Sequence, residues 1–156
     1  MDSKNYVCFD AQTEDVKKAF SFLSDEDIEV LSKYLEMREW ESDAVVMSEG
    51  GSDDYVGFLI EGKLAVKKKT GYWDKHIIIA ILEKGTMVGE GAFIDSKPRS
   101  STVIAMEPCR ILTISVEKMD ELVLDNPPLA IKLMKRLLYI VSIRLRKAGE
   151  RISELL

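Results

Sequence analysis

Hydrophobic positions recur at two different periods along the chain, and the changes of period divide it into three parts. From Thr13 onward, Val16, Ala19, Phe20 and Leu23 fall at helical spacing. Ser24-Asp25-Glu26-Asp27 then starts a second helix, because Ser24 is a good N-cap and three acids lie at the positive end of the dipole. Ile28, Leu31 and Leu35, with Tyr34, carry one apolar face to about Met37. Residues 13–37 are therefore read as helices covering one end of a core. Residues 1–12 are polar and unpatterned and are expected to form a tail or loosely packed arm.

From 38 to 115 the pattern is that of strands. Trp40 and Val45 to Met47, Tyr55 to Ile60, Leu64 to Lys68, Ile77 to Leu82, Thr102 to Ala105 and Arg110 to Ser115 are short apolar runs. Between them stand turn compositions: Gly50-Gly51-Ser52-Asp53-Asp54, Glu61-Gly62-Lys63, Gly71 and Glu83-Lys84-Gly85-Thr86. Short strands broken by turns about every 8–12 residues predict a β-barrel or sandwich.

After Ser115 the helical period returns. Met119, Leu122 and Val123 fit a short helix, and Asp125-Asn126-Pro127-Pro128 closes it and opens the last one. In that last helix Ile131, Met134, Leu138, Val141, Leu145, Ala148, Ile152 and Leu155 alternate steps of three and four, a coiled-coil seam of more than three heptads. A second apolar face (Leu129, Leu133, Leu137, Ile140) gives way to Arg144, Arg146, Lys147 and Arg151. The first half is expected to pack on the strands as well as on a partner, and the second half on a partner alone. A homodimer through Met134, Leu138, Val141, Leu145, Ala148, Ile152 and Leu155 is the expected assembly.

Composition narrows the function classes. The chain has 156 residues, 46% hydrophobic and 31% charged, with a formal net charge of −5. Such a charge makes it a poor nucleic-acid binder in bulk. His76 is the only histidine, which argues against a metal-binding cupin, a zinc enzyme or a histidine-based triad. Cys8 and Cys109 form neither a metal spacing nor a disulfide framework, and ordinary burial is expected of both. A reducing, cytoplasmic setting follows. Lys67-Lys68-Lys69 is the one basic run and reads as a solvated strand end.

Candidate chemistry is concentrated in 88–103, VGEGAFIDSKPRSSTV. Gly91 and Ala92 permit close approach to backbone N–H groups, and a helical turn over Gly91 to Ile94 would aim those groups at one anion. Pro98 interrupts that turn before Arg99, a permanent cation with forked donors that suit phosphate oxygens. Ser100 and Ser101 add donors. Glu90 would repel a phosphate, so it suits a ribose hydroxyl instead.

Gly-Glu-x-Ala at 89–92, followed by Pro-Arg-Ser-x-Thr-Val at 98–103, resembles the phosphate-binding cassette of the cyclic nucleotide-binding domain family. The resemblance covers most of the chain, from about residue 18 to the end. It implies an α+β fold, an antiparallel, jelly-roll-like β-roll flanked by N-terminal helices and a long C-terminal helix, in a single domain of 1–156. It also implies a ligand, cyclic AMP or cyclic GMP, with no other cofactor and no catalysis. By resemblance Glu90 takes the ribose 2′-hydroxyl. Gly89, Gly91 and Ala92 bring backbone to the phosphate, Arg99 takes its exocyclic oxygens, and Ser100 and Ser101 assist. Gly91 replaces a usual bulky apolar residue and Ser101 a usual alanine, and neither change removes a charge. The last helix would lid the base near Val141 to Leu145, with Arg144 stacking on it. No helix-turn-helix follows that helix, so a free-standing sensor, or the sensor part of a larger assembly, is expected; a module keeping the fold without ligand is the alternative.

Overall fold

The computed structural model describes residues 6–156. The fold is α+β: two antiparallel sheets, with helices at both ends of the chain and a long helix last. The arm reading of 1–12 changes where it can be followed. Strand β1 (Tyr6–Val7) pairs with β2 (Glu36–Trp40), and Ala11 is buried, so this segment is tied to the sheet. Residues 1–5 lie outside the described residues.

Helices α1 (Glu14–Ala19) and α2 (Asp25–Ser32) match the periodicity, and the Ser24 side chain accepts the N–H of Asp27 at 3.1 Å. α2 ends five residues before Met37. The chain leaves it through a tight turn, Tyr34 N–H to the Leu31 carbonyl at 2.9 Å, and Met37 is a strand residue opposite Leu112. The apolar face that suggested continuous helix is shared between helix and strand.

Strands β3 (Val45–Met47), β4 (Tyr55–Glu61), β5 (Lys63–Lys69), β6 (His76–Glu83), β7 (Met87–Val88), β8 (Thr102–Ala105) and β9 (Cys109–Ser115) complete the sheets. One sheet runs β1-β2-β9-β4-β7 and the other β3-β8-β5-β6. β4 is buried from Tyr55 to Ile60 because both of its faces are covered. Val56, Phe58 and Ile60 face the helices with Phe20, Leu31 and Leu122, whereas Tyr55 and Leu59 face the second sheet with Leu64 and Val103. β9 alternates likewise, Leu112 and Ile114 toward the helices and Cys109 and Ile111 between the sheets. β6 is an edge strand, and Ile77, Ile78, Ile79 and Ile81 are exposed despite its apolar sequence.

α3 (Glu90–Asp95) interrupts the strands, and α4 (Val116–Asp125) and α5 (Pro127–Glu154) follow them. The Ser115 side chain caps α4 through Lys118 N–H at 3.1 Å, and Asn126 caps α5 through Leu129 N–H at 3.2 Å. α5 buries Leu129, Ala130, Leu133 and Leu137, with Ile140 half-buried; beyond Ile140 none of its residues is buried. Cys109 is buried but Cys8 is exposed, so burial does not account for the second cysteine. No described helix is long and apolar enough to cross a membrane, and no described group of three His, Cys, Asp or Glu could hold a metal ion.

Candidate functional site

Arg99 is the most constrained charged residue of the site. Its backbone is clamped to the loop after β3: Gly50 N–H donates to the Arg99 carbonyl and Arg99 N–H to the Gly51 carbonyl, both at 2.8 Å. Its guanidinium is buried and donates from Nη1 to the Gly89 carbonyl at 2.8 Å and from Nη2 to the Tyr55 carbonyl at 2.7 Å. Nε is buried with no hydrogen-bond partner, and the nearest carboxylate oxygen, Asp53 Oδ2, is 4.0 Å away. Burial pushes the guanidinium below its ordinary pKa, against the pull of Tyr55, Asp53, Asp54 and Glu90. An arginine stays charged through such a shift, so the site holds a fixed cation with an unused donor.

The Tyr55 ring lies under both Arg99 and Arg38, at 5.1 and 4.4 Å from the guanidinium carbons. Its hydroxyl donates to the Val46 carbonyl at 3.0 Å, and burial pushes its pKa up to about 12. Gly89 is equally determined. Its φ is +82°, and a Cβ there would stand 2.6 Å from Arg99 Nη1 and 2.7 Å from Met47 Cε. Only glycine fits this corner without displacing the arginine.

A cavity of about 280 Å³ opens beside this corner, close to the lower end of small-ligand pockets, ~300–1,000 Å³. Gly89, Glu90, Gly91, Ala92, Arg99, Ser100 and Ser101 line one side, and Met47, Val66, Ala80, Leu82 and Val103 supply an apolar wall. α3 begins at Glu90, so the N–H groups of Gly91 and Ala92 lie in its first turn and have no intrahelical acceptor. The position of Gly91 is open, with nothing within 4 Å of an added Cβ, so packing does not demand glycine there.

Lys68, within the basic run, supports this loop rather than facing solvent freely. Its Nζ donates to the Ser100 carbonyl and pairs with Glu49 at 3.2 Å. Glu49 also accepts Lys69 N–H at 3.1 Å, and that bond, together with Lys68, holds its carboxyl below the usual range.

α5 contributes Arg144 to the site. Arg144 lines the cavity, but its Nη1 pairs with Glu90 Oε1, and its Nη2 donates to the Met87 carbonyl and, at 3.3 Å, to Thr86 Oγ1. Glu90 is thus bonded to Arg144 rather than to Arg99. Val141 is not among the lining residues; it follows Leu138 on the seam stripe, where Ile131, Met134, Leu138, Leu145, Ile152 and Leu155 are exposed. Sequence reasoning missed the Tyr55 and Gly89 carbonyls, Asp53 and the apolar wall. A backbone carbonyl carries no residue signature, although Gly89, with no side chain, next to Glu90 marked a close approach.

The sequence profile described as the cyclic nucleotide-binding domain matches residues 37–126. Among solved structures, a cyclic nucleotide-binding domain from Methylobacillus flagellatus is 27% identical, with a TM-score of 0.81 over 86% of this chain and 75% of that one. The catabolite activator protein of Thermus thermophilus is 21% identical, with a TM-score of 0.74 over 88% of this chain and 62% of that one. The regulatory domain of Toxoplasma gondii PKA, solved with cAMP, is 19% identical, with a TM-score of 0.63 over 78% of this chain and 46% of that one.

Proposed function

The chain belongs to the cyclic nucleotide-binding domain family, and on that premise we propose that it is a cytoplasmic sensor module which binds cyclic AMP or cyclic GMP and signals through α5. The observation that carries this reading is the buried guanidinium of Arg99, a residue lining the cavity, whose Nε–H has no hydrogen-bond partner. A buried donor without a partner costs about 1–3 kcal/mol, and a phosphate oxygen is the acceptor that both satisfies the donor and neutralises the cation.

The remaining groups fall into roles around that phosphate. Gly91 and Ala92 N–H groups and the Ser100 and Ser101 groups complete its donors. Glu90 gives one oxygen, Oε1, to Arg144, and Oε2 is left to accept the ribose 2′-hydroxyl. One carboxylate would then serve both ligand and helix, which couples binding to the position of α5. The ligand shifts the population toward a closed arrangement, α3 and α4 moving with the cassette and α5 closing over the base. The output is the geometry of a homodimer formed along the exposed seam, with Val141 assigned to that seam. The site performs binding rather than catalysis.

Calorimetric titration with cyclic AMP and cyclic GMP tests the reading, after any co-purified nucleotide has been removed by unfolding and refolding. Binding at micromolar or tighter, about −8 kcal/mol, is expected with at least one of them, and the comparison names the base. Absence of heat with both would leave the second reading, a ligand-free dimeric interaction module, which the exposed seam favours. The seam is tested separately: Leu138→Glu should convert the protein to a monomer by sedimentation with its helix content kept.

A further inference from the structure

A second, larger depression of about 810 Å³ runs between α5 and the β6–β7 turn. It adjoins the nucleotide cavity, with which it shares Ala80, Leu82 and Arg144. Its floor is apolar: Ile81, Leu82, Ile140 and Ile143. Its rim carries Lys84, Arg136, Lys147 and Arg151 in addition to Arg144, against the single acid Glu83, which pairs with Lys63 at 3.9 Å.

Apart from Arg144, these cations form no close ion pair among the described residues. Lys84, Lys147 and Arg151 are exposed and form no ion pair or side-chain hydrogen bond among the described residues. Arg136 rests on the rings of Phe22 and Tyr139, at 5.3 and 5.0 Å, which leaves its charge without a carboxylate. Arg151, in the last turn of α5, complements the helix dipole, but Lys84 and Arg136 lie too far from that end to do so. Lys84 acts on Glu14 only from a distance, and with Arg136, Lys147 and Arg151 lacking a carboxylate partner the groove is a local reversal of sign in a chain of net charge −5.

We propose that this groove docks an acidic amphipathic segment of a partner protein, its carboxylates on the cationic rim and its apolar side chains on the isoleucine floor. Charge complementarity selects an acidic occupant. The apolar floor selects a protein segment over nucleic acid, which the overall negative charge also disfavours and for which Tyr139 is the sole exposed aromatic platform in the groove. A second copy of the chain is assigned elsewhere, since the seam occupies a different stripe of α5 and shares only Ala148 with the groove. The inference does not depend on nucleotide binding.

Fluorescence anisotropy of the full chain with a labelled amphipathic helical peptide, glutamate on one face and leucine on the other, tests it. The expected result is saturable binding that is at least ~10-fold weaker when the glutamates are replaced by glutamine. The Lys147→Glu, Arg151→Glu double variant should lose at least ~10-fold as well. The neutral pair Lys147→Gln, Arg151→Gln guards against misfolding and should fall between, with an unchanged thermal melt. Absence of peptide binding, equal binding by the double variant, or tighter binding of an oligodeoxythymidylate would overturn the proposal. So would a change in self-association as the only effect of the charge reversal.

Discussion

Arg99 and Arg144 reach the same cavity from two regions of the molecule and are held by different means. Arg99 comes from the cassette, its side chain is 3% exposed, and it is fixed by the carbonyls of Tyr55 in β4 and of Gly89 at the start of α3 and by its own backbone pairing to Gly50 and Gly51. Arg144 comes from the distal half of α5, its side chain is 32% exposed, and its main partner is the carboxylate of Glu90. The proximal half of α5 is anchored by Leu129, Leu133 and Leu137, while past Ile140 no buried residue holds the helix. Rigid placement suits a group that must meet a phosphate at a fixed point. A partly buried ion pair at the start of a segment that holds no buried residue suits a part that moves.

The difference is broken most severely at Arg99. Arg99→Ala should weaken cyclic nucleotide binding at least ~100-fold and lower stability by about 1–3 kcal/mol, because the Gly89 and Tyr55 carbonyls lose buried donors. Calorimetry and urea unfolding read the two effects separately.

Alkali tests the same rigid region through Tyr55, whose pKa is raised from 10.0 to about 12. A raised pKa means that the folded protein retains the proton which the unfolded chain releases. Its contribution is complete below pH 10 and disappears as the pH climbs toward about 12, a loss on the order of 2–3 kcal/mol. Tyr55→Phe should remove this part of the alkaline decline, as seen in urea midpoints across that range. Unchanged curves would mean the ring is not protected as described.

Gly89→Ala is the next smaller change. The positive φ costs about 1–2 kcal/mol for alanine, and the new methyl meets Arg99 Nη1, so affinity should drop ~10-fold with only modest loss of stability. Arg144→Ala should produce the smallest global effect, on the order of 1 kcal/mol for a partly buried pair at the edge of the domain. Its local effect should be clear: amide exchange from 141 to 154 accelerates while 129–137 is unaltered. Equal acceleration along the whole helix would show that α5 responds as one unit.

The periodicities located the helices and strands well because each reported burial on a known number of faces. They failed where burial and composition part. β6 reads as a near-continuous apolar strand from Ile77 to Leu82, yet it lies at a sheet edge with four exposed isoleucines. Met37 extended a helical face by coincidence of spacing, while its burial comes from pairing with β9. In the site, Gly89 to Ser101 were legible because side-chain type carries their chemistry. The carbonyls of Tyr55 and Gly89 were not, since any residue supplies a carbonyl. Nor could spacing reveal that Arg144 meets Glu90, a contact across 54 residues that depends on how α5 is tilted onto the cassette.

The unpaired Nε–H of Arg99 is the group offered to a phosphate, and its resonance reports on that atom. In ¹H–¹⁵N spectra recorded through the arginine Nε region, addition of cyclic AMP or cyclic GMP should shift the Arg99 signal strongly downfield. The signals of Arg38 and Arg110, whose Nε atoms are also buried without hydrogen-bond partners but lie outside the cavity, should stay in place. Nucleotide binding that leaves the Arg99 Nε–H signal unmoved, or moves all three alike, would contradict the account.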